Sequence, residues 1–141
     1  MVTAAGFLIV RKVNNDWEYL NLVLDDGDYD FPKGKVDKND TDSLHTALRE
    51  LFEESNIKKK DFLKTWGGMY YDSYSNKKIL RMYIAQVNDK CDIKLKVNPE
   101  HNSREHVNYK WNNYNKTISK LKKYLVGCLD YYKTILEEDI K

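Results

Sequence analysis

The sequence predicts an α/β fold, a mixed β-sheet held between helices as an α/β/α sandwich. Three observations predict it: many short stretches of branched and aromatic residues, two well-separated segments with helical apolar spacing, and polar turn residues between neighbouring stretches. The 141 residues suffice for one domain with a real core. They show no Pro/Gly/Ser-rich linker, internal repeat or low-complexity block, so residues 1–141 are read as a single domain.

The elements follow in order. "AAGFLIVRKV" (4–13) and "EYLNLVLDD" (18–26) read as strands of a hairpin with "NND" as its turn. "YDFPKGKVDKNDTD" (29–42) reads as a loop, punctuated by Pro32 and Gly34. Thr41, Asp42 and Ser43 are N-cap residue types for a helix running to about Ser55. "FLKTWGGMYYDSY" (62–74) and "KKILRMYIAQV" (77–87) form a second hairpin around "SNK". "CDIKLKV" (91–97) and "HVNYKW" (106–111) are further short strands. Residues 115–138 read as one C-terminal helix, with Ile118, Leu121, Leu125, Cys128, Leu129 and Tyr132 at helical spacing.

Bulk properties exclude several classes. A net charge of +2 gives no electrostatic call for nucleic acid. No stretch approaches the ~20 apolar residues of a membrane span, and the apolar run before Arg11 is too short for a secretory signal. Cys91 and Cys128 fit no metal or redox spacing and read as reduced thiols of a cytoplasmic protein.

"RELFEES" (49–55) carries the chemistry. Placed 100° apart, Leu44, Ala47, Leu48 and Leu51 form one apolar stripe, and Glu50, Glu53 and Glu54 are expected as one patch clear of it, on the opposite side. Like charges at this spacing cost a few tenths of a kcal/mol per pair. A solvated acidic face partly offset by Arg49 tolerates that cost, and a bound cation reverses it. The preceding "PKG" loop favours the cation. Magnesium takes carboxylate oxygens and bridges to phosphate, and at Gly34 the backbone approaches a metal or phosphate with no side chain in the way.

"GKVDKNDTDSLHTALRELFEESNI" (34–57) resembles the Nudix box, G-x5-E-x7-R-E-U-x-E-E-x-G-U with U apolar. Gly34, Arg49, Glu50, Leu51, Glu53, Glu54 and Ile57 match it. Asp40 stands in place of the first glutamate, the gap from there to Arg49 is one residue longer, and Asn56 replaces the glycine. Asn is the next best residue at a left-handed helix end. The longer gap leaves open whether Asp40 or Asp42 braces Arg49. "DFPKGKV" and "SREHVNYKW" (103–111) are similar to the asymmetrical diadenosine tetraphosphate hydrolases of that family, from Ala5 to about Trp111.

That resemblance implies a hydrolase in which Glu50, Glu53 and Glu54 bind catalytic Mg2+, with Mn2+ a substitute, beside Gly34. Glu105 is the fourth carboxylate, and Arg49 orients the cluster. Lys33 and His106 are expected on phosphate. Tyr71 is the expected stacking ring, Tyr74 the spare, and Lys77, Lys78 and Arg81 are cations near the phosphate tail. The implied substrate is a dinucleoside polyphosphate, acted on by a monomer with no membrane partner, and nucleic acid enters only as a capped RNA end. The alternatives are a Nudix enzyme of capped RNA or inositol pyrophosphates, or a catalytically silent nucleotide-binding module.

Overall fold

The computed structural model describes residues 1–95 and 106–140. Strands β1 (Ala4–Val13) and β2 (Asp16–Leu24) form the first hairpin. Its turn residues Asn14 and Asn15 both have positive φ, the geometry that matches the right-handed twist of paired strands. Two short strands follow inside the expected loop, β3 (Tyr29–Asp30) and β4 (Lys33–Lys35). Helix α1 (Ser43–Ser55) comes next, then β5 (Phe62–Lys64), β6 (Tyr70–Ser75), β7 (Lys78–Val87) and β8 (His106–Asn112), with α2 (Tyr114–Lys120) and α3 (Val126–Ile140) closing the chain.

The sheet is mixed. β1 and β7 run parallel, and every other strand pair among the described residues is antiparallel. Both central strands are shared along their length: β1 pairs β4 near its start and β2 near its end, and β7 pairs β6 and then β5. Period-two alternation splits the core into two layers. Ala5, Phe7 and Ile9 of β1, with Tyr83 and Ala85 of β7, pack with Ala47 and Leu51 of α1. Leu8, Val10, Met82 and Ile84 point the other way, onto Cys128, Leu129 and Tyr132 of α3. This is the α/β/α sandwich that the sequence predicts.

Four expectations are corrected. "FLKTWGGMYYDSY" is two strands, because Trp66, Gly67 and Gly68 all take positive φ in a 3-10 turn that lets β5 and β6 pair with different ends of β7. "CDIKL", the described part of the fifth stretch, forms no strand; Lys94 N–H bonds the carbonyl of Ser55, the last residue of α1, not a strand. The C-terminal helix breaks at Leu121, which is extended (φ −68°, ψ 140°) because it bridges to Tyr29 while the Lys122 N–H donates to the Tyr29 carbonyl at 3.0 Å. Leu44 is exposed and Leu48 half-buried; Thr46, Ala47, Leu51 and Ser55 form the buried stripe of α1.

Candidate active site

α1 begins where its sequence directs. Asp42 is the N-cap, its carboxylate accepting from His45 N–H at 2.8 Å. It ends at Asn56, which takes the left-handed conformation (φ 68°) and donates its N–H to the Phe52 carbonyl at 2.9 Å. Asn thus serves where the family pattern has glycine.

With Asp42 used as the cap, Asp40 braces Arg49. Its carboxylate accepts from Arg49 Nε at 3.0 Å and Nη2 at 2.9 Å, and also from Thr46 Oγ1 at 2.7 Å and Asp37 N–H at 2.8 Å. These donors, the Arg49 hydrogen bonds foremost, hold the Asp40 carboxyl well below the usual carboxylate range. Arg49 also reaches Glu50 at 2.7 Å, Glu53 at 3.3 Å and the Lys35 carbonyl at 3.0 Å.

β4 lies over the acidic flank of α1, so that flank is not uniformly wet. A Cβ built on Gly34 would overlap the Glu50 carboxyl, so only glycine lets β4 approach so closely. The Lys33 N–H donates to Glu54 Oε1 at 3.0 Å. Glu54 is enclosed beneath this contact, which corrects the expectation that its side chain stands clear of the packed interior. Burial foremost raises its pKa well above the ordinary value, with the negative charges of Asp30 and Glu50 pushing the same way, against the Lys33 N–H hydrogen bond and the Lys33 charge. Glu53 is exposed.

The chemistry of this donor set fits a hard divalent cation. Three carboxylates share one flank, and the pKa of Glu54 is raised by burial first and then by the charges of Asp30 and Glu50, a penalty that a cation would relieve. Arg49 draws Glu50 and Glu53 to itself, and among the described residues no three Asp, Glu, His or Cys side chains converge on one point as they stand. Glu105 lies outside the described residues.

Lys33 opens the second half of the site. It aligns with Gly6 in β1, Gly6 with Met82 in β7, and Met82 with Tyr71 in β6, so Lys33 and Tyr71 occupy one row across the sheet. Residues in one row share a face. Tyr71 therefore lies on the α3 face, half-buried against Tyr131 with ring centroids 5.2 Å apart. Tyr74 is three residues on and so takes the opposite face, largely exposed. Lys77 and Lys78 are exposed at the hairpin end. Arg81 is engaged by Asp72 at 2.8 and 2.9 Å and lies over the Tyr70 ring.

Two residues here had not been assigned from sequence. Tyr124 places its half-exposed ring 5.4 Å from Lys33 Nζ, and its carbonyl accepts from the Ser73 hydroxyl at 3.4 Å. Asp30 is buried and meets Lys33 Nζ at 2.9 Å and His106 Nε2 at 3.1 Å. His106, expected on phosphate, is buried here as a partner of Asp30. Burial alone would raise the Asp30 pKa, but the His106 hydrogen bond and the Lys33 charge bring it below the ordinary value. The only sequence signal for Asp30 was its place beside "FPKG"; Tyr124 was masked by the apparent continuity of the C-terminal helix.

The NUDIX domain family model matches residues 2–127. No curated protein matches. Among solved structures, a binary complex of the C. elegans Ap4A hydrolase superposes with a TM-score of 0.78 at 26% identity, covering 98% of this chain and 99% of that one. A second structure of the C. elegans enzyme gives 0.73 at 28% identity, with 96% and 99% covered. A Listeria monocytogenes Nudix hydrolase structure, at 16% identity and a TM-score of 0.73 over 99% and 97% of the chains, is alike in fold. With the family model spanning residues 2–127 and this sandwich built around the braced acidic helix, the chain belongs to the Nudix hydrolase family.

Proposed function

We propose that the protein is a magnesium-dependent hydrolase of dinucleoside polyphosphates that cuts diadenosine tetraphosphate into ATP and AMP. The observation that carries this reading is the row joining Lys33 to Tyr71, with the Tyr124 ring over Lys33 and Glu54 on the Lys33 amide. It lines up a carboxylate flank, a cation and aromatic rings, the complements of a reacting phosphate, an anionic tail and a base. The likeness to the C. elegans Ap4A hydrolase, at 26–28% identity over nearly the full length of both chains, supports the same substrate.

Nudix enzymes generally use divalent ions, and here Glu50, Glu53 and Glu54 would hold them. Such ions neutralise polyphosphate charge and make bound water acidic. The chain's own residues do the rest. Asp40 and Arg49 fix the helix flank, and Gly34 lets the β4 backbone close on it. Lys33 meets the phosphate chain. Tyr71 and Tyr124 offer rings to adenine, a contact worth ~1–3 kcal/mol per base. The reading places the enzyme in the cytoplasm, working as a monomer.

Product analysis tests this. Purified protein with diadenosine tetraphosphate and magnesium is expected to give ATP and AMP in equal amounts, and none without a divalent ion. Two ADP per substrate, or cleavage of capped RNA or an inositol pyrophosphate in its place, would overturn the assignment.

A further inference from the structure

We propose that Asp30 is a positioning residue acting through Lys33: it fixes the lysine ammonium beside the Tyr124 ring, so that a nucleotide's phosphate chain meets a cation already in place. The proposal rests on the function above for the identity of the anion.

Asp30 lies in β3, 3% exposed. A buried carboxylate must be paired, and each of its oxygens is. Oδ1 accepts from Phe31 N–H at 2.9 Å and from Lys33 Nζ at 2.9 Å. Oδ2 faces Lys33 Nζ at 3.1 Å and His106 Nε2 at 3.1 Å. His106 comes from β8, opposite Leu24 of β2, the strand that also pairs β3. Asp30 is therefore held from both sides and has one orientation to offer.

Lys33 is held at both ends by carboxylates, its amide by Glu54 and its ammonium by Asp30. A lysine stem has four rotatable carbons and would otherwise sweep a wide volume. Here it is directed to the α3 face, which it shares with Tyr71, and it ends at the half-exposed Tyr124 ring. Its side chain is 16% exposed and its ammonium neighbours the half-exposed Tyr124 ring, so the lysine is not sealed in the core.

The sign of the mutational effect separates positioning from simple charge. Asp30 is an anion next to the proposed anion site. If it contributed only charge, Asp30→Asn would tighten phosphate binding. If it positions Lys33, Asp30→Asn loosens the cation and weakens binding.

The test is calorimetric titration of ATP with magnesium into full-length wild type, Asp30→Asn, Lys33→Met and the double variant. Asp30→Asn is expected to weaken binding about tenfold, the worth of one charge-assisted contact. Lys33→Met should weaken it at least as much, and the double variant should be no worse than Lys33→Met. Asp30→Glu keeps the charge but displaces it, and should also weaken binding. Tighter binding in Asp30→Asn, the same tenfold loss in the Lys33→Met background, or wild-type affinity in Asp30→Glu would each overturn the proposal. So would wild type with no affinity for ATP. If thermal melts show both Asp30 variants unfolded, Asp30 holds only the fold and the proposal fails. Wild-type turnover of diadenosine tetraphosphate is measured in parallel: its absence alongside the non-additive ATP pattern sinks the substrate assignment and leaves Asp30 in its role.

Discussion

Asp40 and Arg49 are joined by two parallel hydrogen bonds, Nε to Oδ1 at 3.0 Å and Nη2 to Oδ2 at 2.9 Å, across a spacing one residue longer than the family pattern. The pair anchors the acidic flank of α1, since the same guanidinium reaches Glu50 and Glu53.

Asp40→Asn is expected to cost about 1.5–3 kcal/mol at neutral pH, the range for hydrogen bonds to a charged partner. The Asp40 pKa is depressed in the fold, so the ionised carboxylate stabilises the native state above the unfolded value near ~4. That contribution is lost as pH falls through the folded value. Denaturant melts should therefore show a wide gap between wild type and variant at pH 7 that narrows below ~4. A gap of constant size would contradict the charged pairing.

Glu54→Gln should stabilise the metal-free protein while nearly abolishing turnover. The Glu54 pKa is raised by burial and by Asp30 and Glu50, so its ionised form subtracts stability at pH values above the unfolded ~4.3. Gln removes that penalty, so the gain should appear as pH rises and be absent near pH 4. A gain of ~1 kcal/mol corresponds to a shift of about 4 °C in Tm. Magnesium should raise the wild-type Tm by mass action and raise the variant's less. Melts in chelator and in magnesium check both parts; equal metal shifts with full turnover would return the cluster to a solvated acidic face.

The rings separate by face and exposure. Tyr124→Ala should raise KM for diadenosine tetraphosphate by roughly tenfold, inside the ~1–3 kcal/mol of a stacked base, with kcat and Tm nearly unchanged because the ring is half exposed. Tyr71→Ala should raise KM and also lower Tm, since it loses the Tyr131 pair, worth ~0.5–1.5 kcal/mol beyond area. Tyr74→Ala, on the opposite face, should do neither. If Tyr74→Ala alone raised KM, the row from Lys33 to Tyr71 would not be the nucleotide path.

Gly34→Ala tests the closure of β4 on α1. The added methyl overlaps the Glu50 carboxyl, so β4 must lift or Glu50 must turn. Overpacking of this kind costs about 1–3 kcal/mol. Turnover should drop with a lowered Tm, and a variant with wild-type kinetics would show that the close approach is unnecessary.

Local patterns made much of this legible. The branched and aromatic runs of β1 and β7, the "NND" and "SNK" turns, and a helix entered within Thr41–Ser43 and ended near Ser55 all follow from nearest-neighbour rules, so reading residues in order sufficed. The apolar spacing of Leu121, Leu125, Cys128, Leu129 and Tyr132 also marked buried positions, even though the helix is interrupted. The interruption itself was not legible. Nothing in "SKLKKY" breaks a helix; the Tyr29 carbonyl, distant in sequence, takes the Lys122 N–H.

By itself the sequence determined the α/β layering, the acidic helix and the run from Gly34 to Ile57, because each depends on residue type at fixed spacing. Only the tertiary structure decided that Asp40 and not Asp42 holds Arg49, that Glu54 is enclosed under Lys33, that Tyr71 shares a face with Lys33 while Tyr74 does not, and that Asp30 and His106 meet. These are contacts between segments far apart in the chain. Each is fixed by strand register and by which backbone groups are left to be satisfied, and neither quantity is written in any local stretch of residues.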